Sequence, residues 1–287
     1  MLETIRRYGS TITVFHTKDL NGKIELRLSS SGSIKNMNTL VYDDIDKTQY
    51  KEVCRINGSI YASTDTGYVA NGWEVSDMYT QVKDKDSWHE FILMKDGSFL
   101  VGDIDKDDIN VDNIQMAYSV DAVVLYDGED VCNCASHRLQ YFDQRHPRTF
   151  WGMTADGEYV FCTAAGRLTN EAGLLGDEVR EVLKEYGCVW GFMNDGGKCS
   201  QMLIDGKLVN ATVTGGHYPV RNAIFVYFKE GEEVKPETPV IPDDTTTSEE
   251  LAQLKAELAE IKVSLAEIQA ENENLSNIIT AIRNLVA

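Results

Sequence analysis

The sequence has little positive charge, and this shortage excludes a class of partner. Lysine and arginine total 27 against 46 aspartates and glutamates, so the formal net charge is −19. A field of this sign repels phosphate backbones and anionic membrane surfaces at long range. We therefore expect no nucleic-acid partner.

Long apolar runs are also missing. The first 20 residues contain two arginines but no apolar core of the length found in signal peptides, and no later stretch is long enough to cross a bilayer. The sequence therefore predicts neither ordinary secretion nor a membrane span.

Metal, redox and triad motifs are lacking too. The close cysteine pair Cys132-Asn133-Cys134 fits neither a zinc knuckle nor a thioredoxin motif, so the six cysteines favour buried thiols, with a disulfide left open. The histidines at 137, 146 and 217 lie outside any Ser or Cys nucleophile motif, which argues against a hydrolase triad. We expect no cofactor. A divalent cation such as calcium, held by Asp195 and backbone oxygens, is compatible with the sequence but not required by it.

What the sequence does contain is a series of short apolar or alternating runs, which predict strands. The runs cover residues 11–15, 23–28, 39–42, 91–94, 122–126, 159–162, 202–204 and 223–228. Asn-Gly and Asp-Gly pairs separate many of them and favour tight hairpins. Residues 177–186 predict one helix, because apolar side chains recur there at helical spacing before Gly187. The predicted fold class is α+β, a mixed and largely antiparallel sheet core with a few helices.

The C-terminal part has a different pattern. Residues 230–248 combine prolines and threonines with six acids and one lysine, which predicts an extended acidic linker. Beyond it, apolar residues repeat in heptads and predict a parallel coiled coil over residues 249–287. Its seam positions are Leu251, Leu254, Leu258, Ile261, Leu265, Ile268, Asn272, Leu275, Ile279, Ile282 and Val286. Leu and Ile at these positions favour a homotrimer, while Asn272 leaves a dimer open.

Three stretches are rich in residues that contact ligands. They are Arg55-Ile56-Asn57-Gly58-Ser59-Ile60-Tyr61, then Gln144 to Gly152 with Ala165-Gly166-Arg167, and Trp190 to Ser200. Further segments follow in a fixed order: Pro147-Arg148-Thr149, Asp156-Gly157, Gly173-Leu174, Asn194-Asp195-Gly196-Gly197-Lys198-Cys199-Ser200, Gly206 to Asn210 and Asn222-Ala223-Ile224. In this order the segments resemble the phosphodiester glycosidase family, over a domain that we place at residues 39–229. Residues 1–38 fall outside the resemblance and either dock the domain to a larger particle or complete its sheet.

The resemblance implies cleavage of the bond between a sugar C1 and a phosphodiester oxygen. Such a reaction needs a carboxylate and cations that hold phosphate. We expect Asp195 to act as base or nucleophile, and Arg148 and Arg167 to bind the phosphate. Asn57 and Asn194 would hydrogen-bond sugar hydroxyls. The remaining expected substrate-binding residues are Gly58, His146, Gly196, Gly197, Ser200, Tyr218 and Arg221.

Two departures from the family pattern keep other functions open. Ala165 stands where the family has an acid, and Tyr218-Pro219-Val220 replaces its Arg-Pro-Val, with Arg221 displaced. The first hypothesis is a hydrolase acting on a bacterial cell-surface glycopolymer. The alternatives are a non-catalytic glycan- or receptor-binding module that uses the same pocket, and a purely structural spike. A glycan-directed domain on an oligomerising stalk is typical of a phage tail or baseplate, so we expect a virion protein acting at the host surface, with a cytoplasmic enzyme as the alternative.

Overall fold

Strands dominate the part of the chain that can be described. A computed structural model describes residues 1–64, 67–70, 72–76, 79–82, 89–133 and 139–231. These residues form twenty-one strands but only two α-helices, the single turn α1 (Leu139–Phe142) and α2 (Gly176–Glu185). The predicted α+β class is therefore wrong: the fold is mostly β, with several antiparallel sheets. The predicted linker after residue 231 and the predicted coiled coil lie outside the described residues.

The largest sheet, sheet I, has seven strands in the order β1-β2-β15-β14-β18-β12-β13. Its strands are β1 (Leu2–Arg7), β2 (Ser10–His16), β12 (Ala122–Tyr126), β13 (Glu129–Asn133), β14 (Arg148–Thr154), β15 (Tyr159–Ala164) and β18 (Cys188–Met193). All neighbours pair antiparallel. The N-terminal segment thus supplies an edge strand and its neighbour in this sheet.

Two five-stranded sheets complete the framework. Sheet II has the order β20-β19-β4-β21-β3 and sheet III the order β10-β9-β11-β7-β8. Sheet II contains β3 (Gly22–Asn36), β4 (Lys51–Asn57), β19 (Met202–Ile204), β20 (Lys207–Leu208) and β21 (Pro219–Glu230). Sheet III contains β7 (Glu74–Val75), β8 (Thr80–Gln81), β9 (His89–Met94), β10 (Phe99–Gly102) and β11 (Ile114–Val120). Two small hairpins are β5 (Tyr61–Thr64) with β6 (Gly67–Ala70) and β16 (Gly166–Leu168) with β17 (Glu171–Ala172).

The three sheets enclose a common core. Trp151 of sheet I, Ile224 of sheet II and Phe91 of sheet III belong to one cluster of buried apolar side chains. Helix α2 covers the other face of sheet I through Val179 and Leu183. Because one ten-residue helix covers a sheet of seven strands, helix contributes little to the architecture.

Most of the predicted elements are confirmed, and one is wrong. Seven of the eight predicted runs lie within β2, β3, β9, β12, β15, β19 and β21, and the predicted helix matches α2. Residues 39–42 do not form a strand: the 3₁₀ helix Met37–Thr39 precedes an irregular segment there. This segment instead packs against one face of sheet II, where Met37, Leu40 and Tyr42 share a buried cluster with Phe225. These side chains are therefore buried by contact with the face of the sheet and not by strand pairing.

The cysteine prediction is confirmed for four positions, because Cys54, Cys162, Cys188 and Cys199 are buried free thiols. Cys132 is exposed. Neither helix in the described residues has the length and hydropathy that crossing a membrane requires.

Candidate active site

The ends of two strands meet where sheets I and II adjoin. Antiparallel pairing places Phe150 of β14 opposite Met193, the last residue of β18, and Ala223 of β21 opposite Asn57, the last residue of β4. The loop of residues 194–200, which follows β18, therefore emerges beside the end of β4.

Asn57 ties this loop to both sheets. The residue is 1 % exposed, and its side-chain Oδ1 accepts from Thr149 Oγ1 at 2.6 Å and from the Gln201 backbone N–H at 3.1 Å. Its Nδ2 donates to the Asp195 carbonyl at 2.7 Å, and Asn194 Nδ2 donates to the Asn57 carbonyl at 2.7 Å. Both polar atoms of the Asn57 side chain are therefore used within the protein, which makes Asn57 a support beneath the site.

Asn194 has a similar supporting position. Its Oδ1 accepts from the Tyr118 hydroxyl at 3.0 Å, and that hydroxyl oxygen accepts from Trp151 Nε1 at 2.7 Å. The Asn194 backbone N–H donates to the Thr149 carbonyl at 2.8 Å. All four residues are buried, so this chain of hydrogen bonds rigidly positions the start of the loop.

Asp195 is the first residue of the loop that reaches the surface, where it is half-buried. Its backbone N–H donates to the Gly58 carbonyl at 3.0 Å. The glycines that follow are required by close packing: a Cβ at Gly196 would lie 2.8 Å from the Pro147 carbonyl oxygen, and Gly197 has a φ of +65°. The turn can therefore pass tightly over residue 147 only because these positions lack side chains.

Tyr61 and Cys199 lie within the electrostatic influence of the Asp195 carboxylate. The Tyr61 hydroxyl lies 3.8 Å from Cys199 Sγ, and Lys198 Nζ lies 5.7 Å from the centre of the Tyr218 ring. Burial raises the pKa of the Tyr61 phenol, and the thiol of Cys199 and the charge of Asp195 raise it further. Burial and then the charge of Asp195 also raise the pKa of the Cys199 thiol. Both groups therefore stay protonated at neutral pH.

Arg167 lies exposed on the other side of the glycine turn. Its Nη1 is 3.3 Å from the point where a Cβ at Gly197 would stand, and its Nη2 donates to His146 Nδ1 at 2.7 Å. The backbone of Arg167 is left-handed, with a φ of +57°, a conformation that costs free energy in a residue with a side chain. The geometry thus holds a guanidinium group next to the turn that carries Asp195.

Arg148, the second predicted phosphate ligand, lies below the surface and is 2 % exposed. Its Nε donates to the Leu174 carbonyl at 3.1 Å, and its Nη2 donates to the carbonyls of Tyr141 and Gln144 at 2.5 and 2.9 Å. Its Nη1 lies 3.9 Å from a carboxylate oxygen of Asp121. Arg148 therefore holds the segment that leads to His146.

Arg221 is also buried, with a side chain that is 0 % exposed. Its Nε donates to Glu74 Oε2 at 2.7 Å, and its guanidinium carbon lies 4.8 Å from the centre of the Tyr79 ring. The other Glu74 oxygen accepts from Asn222 Nδ2 at 2.7 Å, while Asn222 Oδ1 accepts from the Ser59 backbone N–H at 2.8 Å. The buried ion pair thus supports the turn after β4.

The structure separates the predicted site residues into two groups. Surface positions around the glycine turn belong to Asp195, Gly196, Gly197, Arg167, His146 and Tyr218. Buried positions belong to Asn57, Gly58, Asn194, Arg148, Arg221 and Ser200, and among the described residues the Ser200 hydroxyl has no hydrogen-bond partner.

Sequence reasoning missed Glu74 and did not single out Cys199. Glu74 could have been recognised from its apolar neighbours Trp73 and Val75, because a charged side chain in a buried strand requires a partner. Nothing in the sequence pattern places Cys199 next to Asp195.

The described residues contain no group of three or more His, Cys, Asp or Glu side chains arranged to hold a metal ion. Two cavities, of about 490 and 500 Å³, are lined by other parts of the chain and include no residue of the glycine turn. We place the candidate site at the surface around Asp195, where the predicted residues of the glycine turn meet Arg167.

Comparison with known proteins matches this region to an enzyme family. A family model described as phosphodiester glycosidase matches residues 50–227. A curated relative, the SPbeta prophage-derived uncharacterized protein YomE of Bacillus subtilis (strain 168), is 28% identical over 104 residues, which is 36% of this chain. The matched segment spans 14% of that relative.

Solved structures share the fold. The zebrafish N-acetylglucosamine-1-phosphodiester alpha-N-acetylglucosaminidase catalytic domain, auto-inhibited by its pro-peptide, superimposes with a TM-score of 0.56 at 18% identity, covering 81% of this chain and 82% of that one. A hypothetical protein from Synechocystis gives a TM-score of 0.54 at 12% identity, covering 79% of this chain and 61% of that one.

Proposed function

The chain belongs to the phosphodiester glycosidase family, and on that premise we propose that it hydrolyses the bond between a sugar C1 and a phosphodiester oxygen in a bacterial cell-surface glycopolymer. The observation that carries the proposal is the half-buried carboxylate of Asp195 on a glycine turn, with the guanidinium of Arg167 directly beside that turn. A carboxylate next to a cation is what this reaction requires.

Each of the two groups has a task in the reaction. As the C1–O bond breaks, positive charge develops on the sugar ring and the electron pair leaves with the phosphate oxygen. Asp195 acts on C1, either as the nucleophile or as the base that takes a proton from the attacking water. Arg167 binds the phosphate, with Lys198 as a second cation on the same surface. The products are the free sugar, whose new oxygen comes from water, and a phosphate monoester.

His146 and the glycine turn support this arrangement. Since Arg167 Nη2 donates to His146 Nδ1, that nitrogen must be unprotonated for the contact to form. The glycines at 196 and 197 leave the backbone open to a ligand, and the half-buried ring of Tyr218 offers a surface for a sugar ring. Arg148 contributes by holding the segment before His146 in place.

A non-catalytic glycan-binding protein is the second candidate, and a specific observation favours it. Ala165 stands where the family has an acid; the residue is buried and its backbone N–H donates to the Thr11 carbonyl. This chain therefore offers no carboxylate at that position. Its surface cations Arg167 and Lys198 would still bind the phosphate of a glycan, and the Tyr218 ring would still contact a sugar.

We also propose that the protein acts on a phage particle at the host surface. Support comes from the curated relative, which is described as derived from a prophage. A glycopolymer on the host cell wall is the substrate that such a particle meets first.

A hydrolysis assay tests the proposal. The substrates are the methyl phosphodiesters of glucose 1-phosphate and N-acetylglucosamine 1-phosphate, and ³¹P NMR measures the release of methyl phosphate. We expect turnover by the wild type and a loss of about 10²- to 10⁴-fold in Asp195→Asn. Asp156→Asn, at another Asp-Gly turn outside the site, is the matched control and should keep full activity.

Two results would contradict the proposed hydrolysis or its assignment to Asp195. Equal rates for Asp195→Asn and Asp156→Asn would show that Asp195 takes no part in the reaction. No release by the wild type, together with binding of the same phosphodiesters in calorimetry, would establish the binding protein instead.

A further inference from the structure

Strand β1 forms an open edge of sheet I. It pairs with β2 on one side, and no strand of the described residues pairs with its other side. Natural edge strands are commonly protected by a proline, a bulge or lysine side chains. The six residues of β1 contain neither proline nor lysine, and they pair with β2 without a shift in register. The opposite edge strand, β13, begins with Glu129 and Asp130, and its pairing with β12 does shift register. Of these two edges of sheet I, β1 is therefore the one suited to a further strand.

The backbone groups of alternate residues in β1 point away from β2. The Met1 amino group donates to the His16 carbonyl, and the His16 N–H donates to the Met1 carbonyl. Because hydrogen-bonded and non-hydrogen-bonded pairs alternate along an antiparallel ladder, Thr4 and Arg6 direct their N–H and C=O groups outward. In agreement with this direction, the Arg6 carbonyl accepts from the exposed Arg7 side chain at 3.1 Å. These outward groups are positioned to pair with a second strand.

The sequence of β1 fits an antiparallel copy of itself. A two-fold axis perpendicular to the sheet keeps each face on the same side, so only residues of the same face can lie opposite one another. With Ile5 at the axis, Glu3 of each copy lies opposite Arg7 of the other. Thr4 then lies opposite Arg6, so the outward backbone groups of both residues form the hydrogen-bonded pairs. With Thr4 at the axis instead, Glu3 would lie opposite Ile5, so the charges favour the register centred on Ile5.

The exposure of the side chains agrees with this register. Ile5 packs against the buried cluster beneath α2, and at the axis it would meet Ile5 of the second copy. The side chains of Glu3 and Arg7, on the same face, are 40% and 47% exposed. Leu2 and Tyr8, at the two ends of the strand, are exposed apolar residues that come near each other in this register. Apolar contacts at the axis and at both ends are thus combined with two ion pairs.

We propose that β1 is an interface between two copies of this chain, which pair edge to edge as antiparallel strands centred on Ile5. The seven strands of sheet I in each copy then continue into those of the other. The contact uses no residue of the candidate site and none of the predicted coiled coil at residues 249–287. It therefore stands independently of the proposed hydrolysis.

Disulfide trapping tests the contact on the full chain. Ile5→Cys places two thiols at the axis in a non-hydrogen-bonded pair, whose Cα atoms lie about 4.5 Å apart, within the range that a disulfide spans. Under mild oxidation with copper phenanthroline, we expect most of Ile5→Cys to migrate as a covalent pair of chains on a non-reducing gel, with the linkage at position 5 identified by mass spectrometry. The wild type, which keeps all native cysteines, and Thr4→Cys are the matched controls and should form few such pairs.

Random collisions between copies, including copies held together by the predicted coiled coil, would link Ile5→Cys and Thr4→Cys equally. Equal yields from these two variants would therefore overturn the inference. A yield from Ile5→Cys no higher than that of the wild type would overturn it too.

A charge exchange in the Ile5→Cys background tests the register. Glu3→Arg and Arg7→Glu each place like charges opposite one another at both ends of the contact, and each should slow trapping about threefold to tenfold. Glu3 and Arg7 lie about 13 Å apart within one strand, so the double variant Glu3→Arg/Arg7→Glu can recover the rate only through contacts between copies. We expect that recovery. A double variant as slow as the single ones, or single variants that trap at the original rate, would refute the pairing of Glu3 with Arg7.

Discussion

The buried ion pair between Glu74 and Arg221 gives the most demanding prediction about stability. Both side chains are 0 % exposed, and Arg221 Nε donates to Glu74 Oε2 at 2.7 Å. Replacing Arg221 with Met leaves the Glu74 carboxylate buried, with Asn222 as a remaining donor. Loss of one partner of such a pair costs about 3–5 kcal/mol, so we expect the free energy of unfolding of Arg221→Met to fall by that amount.

The exposed pair between Arg7 and Glu185 serves as the matched control. Its shortest contact is 3.2 Å, but its side chains are 47% and 41% exposed. A solvated ion pair contributes about 0–1 kcal/mol, so Arg7→Met should have little effect. Both variants remove an arginine from a charge pair, and burial is the main difference between them.

Urea denaturation followed by tryptophan fluorescence measures these differences. Trp73 adjoins Glu74 in sequence and is buried, so its emission should report on this region. The double variant Arg221→Met/Glu74→Gln should recover much of the loss, because a pair removed as a whole leaves no buried charge. Equal losses in Arg221→Met and Arg7→Met, or a double variant whose loss equals the sum of the single ones, would refute the reasoning.

Two further predictions concern hydrogen bonds made to residues of sheet I. Tyr118→Phe removes the hydroxyl that joins Trp151 Nε1 to Asn194 Oδ1. In urea denaturation, this variant should lower the free energy of unfolding by about 1–3 kcal/mol. An effect no larger than that of Tyr126→Phe, at a surface position, would contradict the prediction. Burial alone would raise the pKa of the Glu171 carboxyl, but hydrogen bonds from the Thr11 N–H and hydroxyl and from Arg6 lower it. Since this pKa is depressed in the folded state, the stabilisation is present above the unfolded pKa of about 4.3 and is lost as pH falls through the folded value. Glu171→Gln should therefore destabilise the protein at pH 7 and less so at pH 3, and equal penalties at both pH values in urea denaturation would contradict it.

Local patterns were sufficient to predict most elements. Apolar runs bounded by Asn-Gly and Asp-Gly turns predicted seven strands, and a 3.6-residue period ending at Gly187 predicted α2. These signals act within a few residues of one another, so they do not depend on the rest of the fold. A short apolar run also predicted a strand at residues 39–42, and that prediction is wrong. An apolar segment that covers the face of a sheet has the same local composition as one that pairs within the sheet.

The fold class could not be settled in this way. One clear helix in the sequence made an α+β protein a reasonable expectation, but the proportion of helix depends on how many other segments pair into sheets. Strands as short as β7 and β8 have two residues each, and they exist only because neighbouring strands supply hydrogen bonds.

The sequence by itself determined the family and proposed a set of candidate site residues, because both depend on the order of short segments along the chain. Only the tertiary structure decided which of those residues reach the surface. Arg148 and Arg167 look alike in the sequence, yet one holds backbone carbonyls in the interior and the other lies exposed beside the glycine turn. Burial and the choice of hydrogen-bond partner arise from contacts between segments far apart in the chain, and for that reason the pairing of Glu74 with Arg221 came only from the fold.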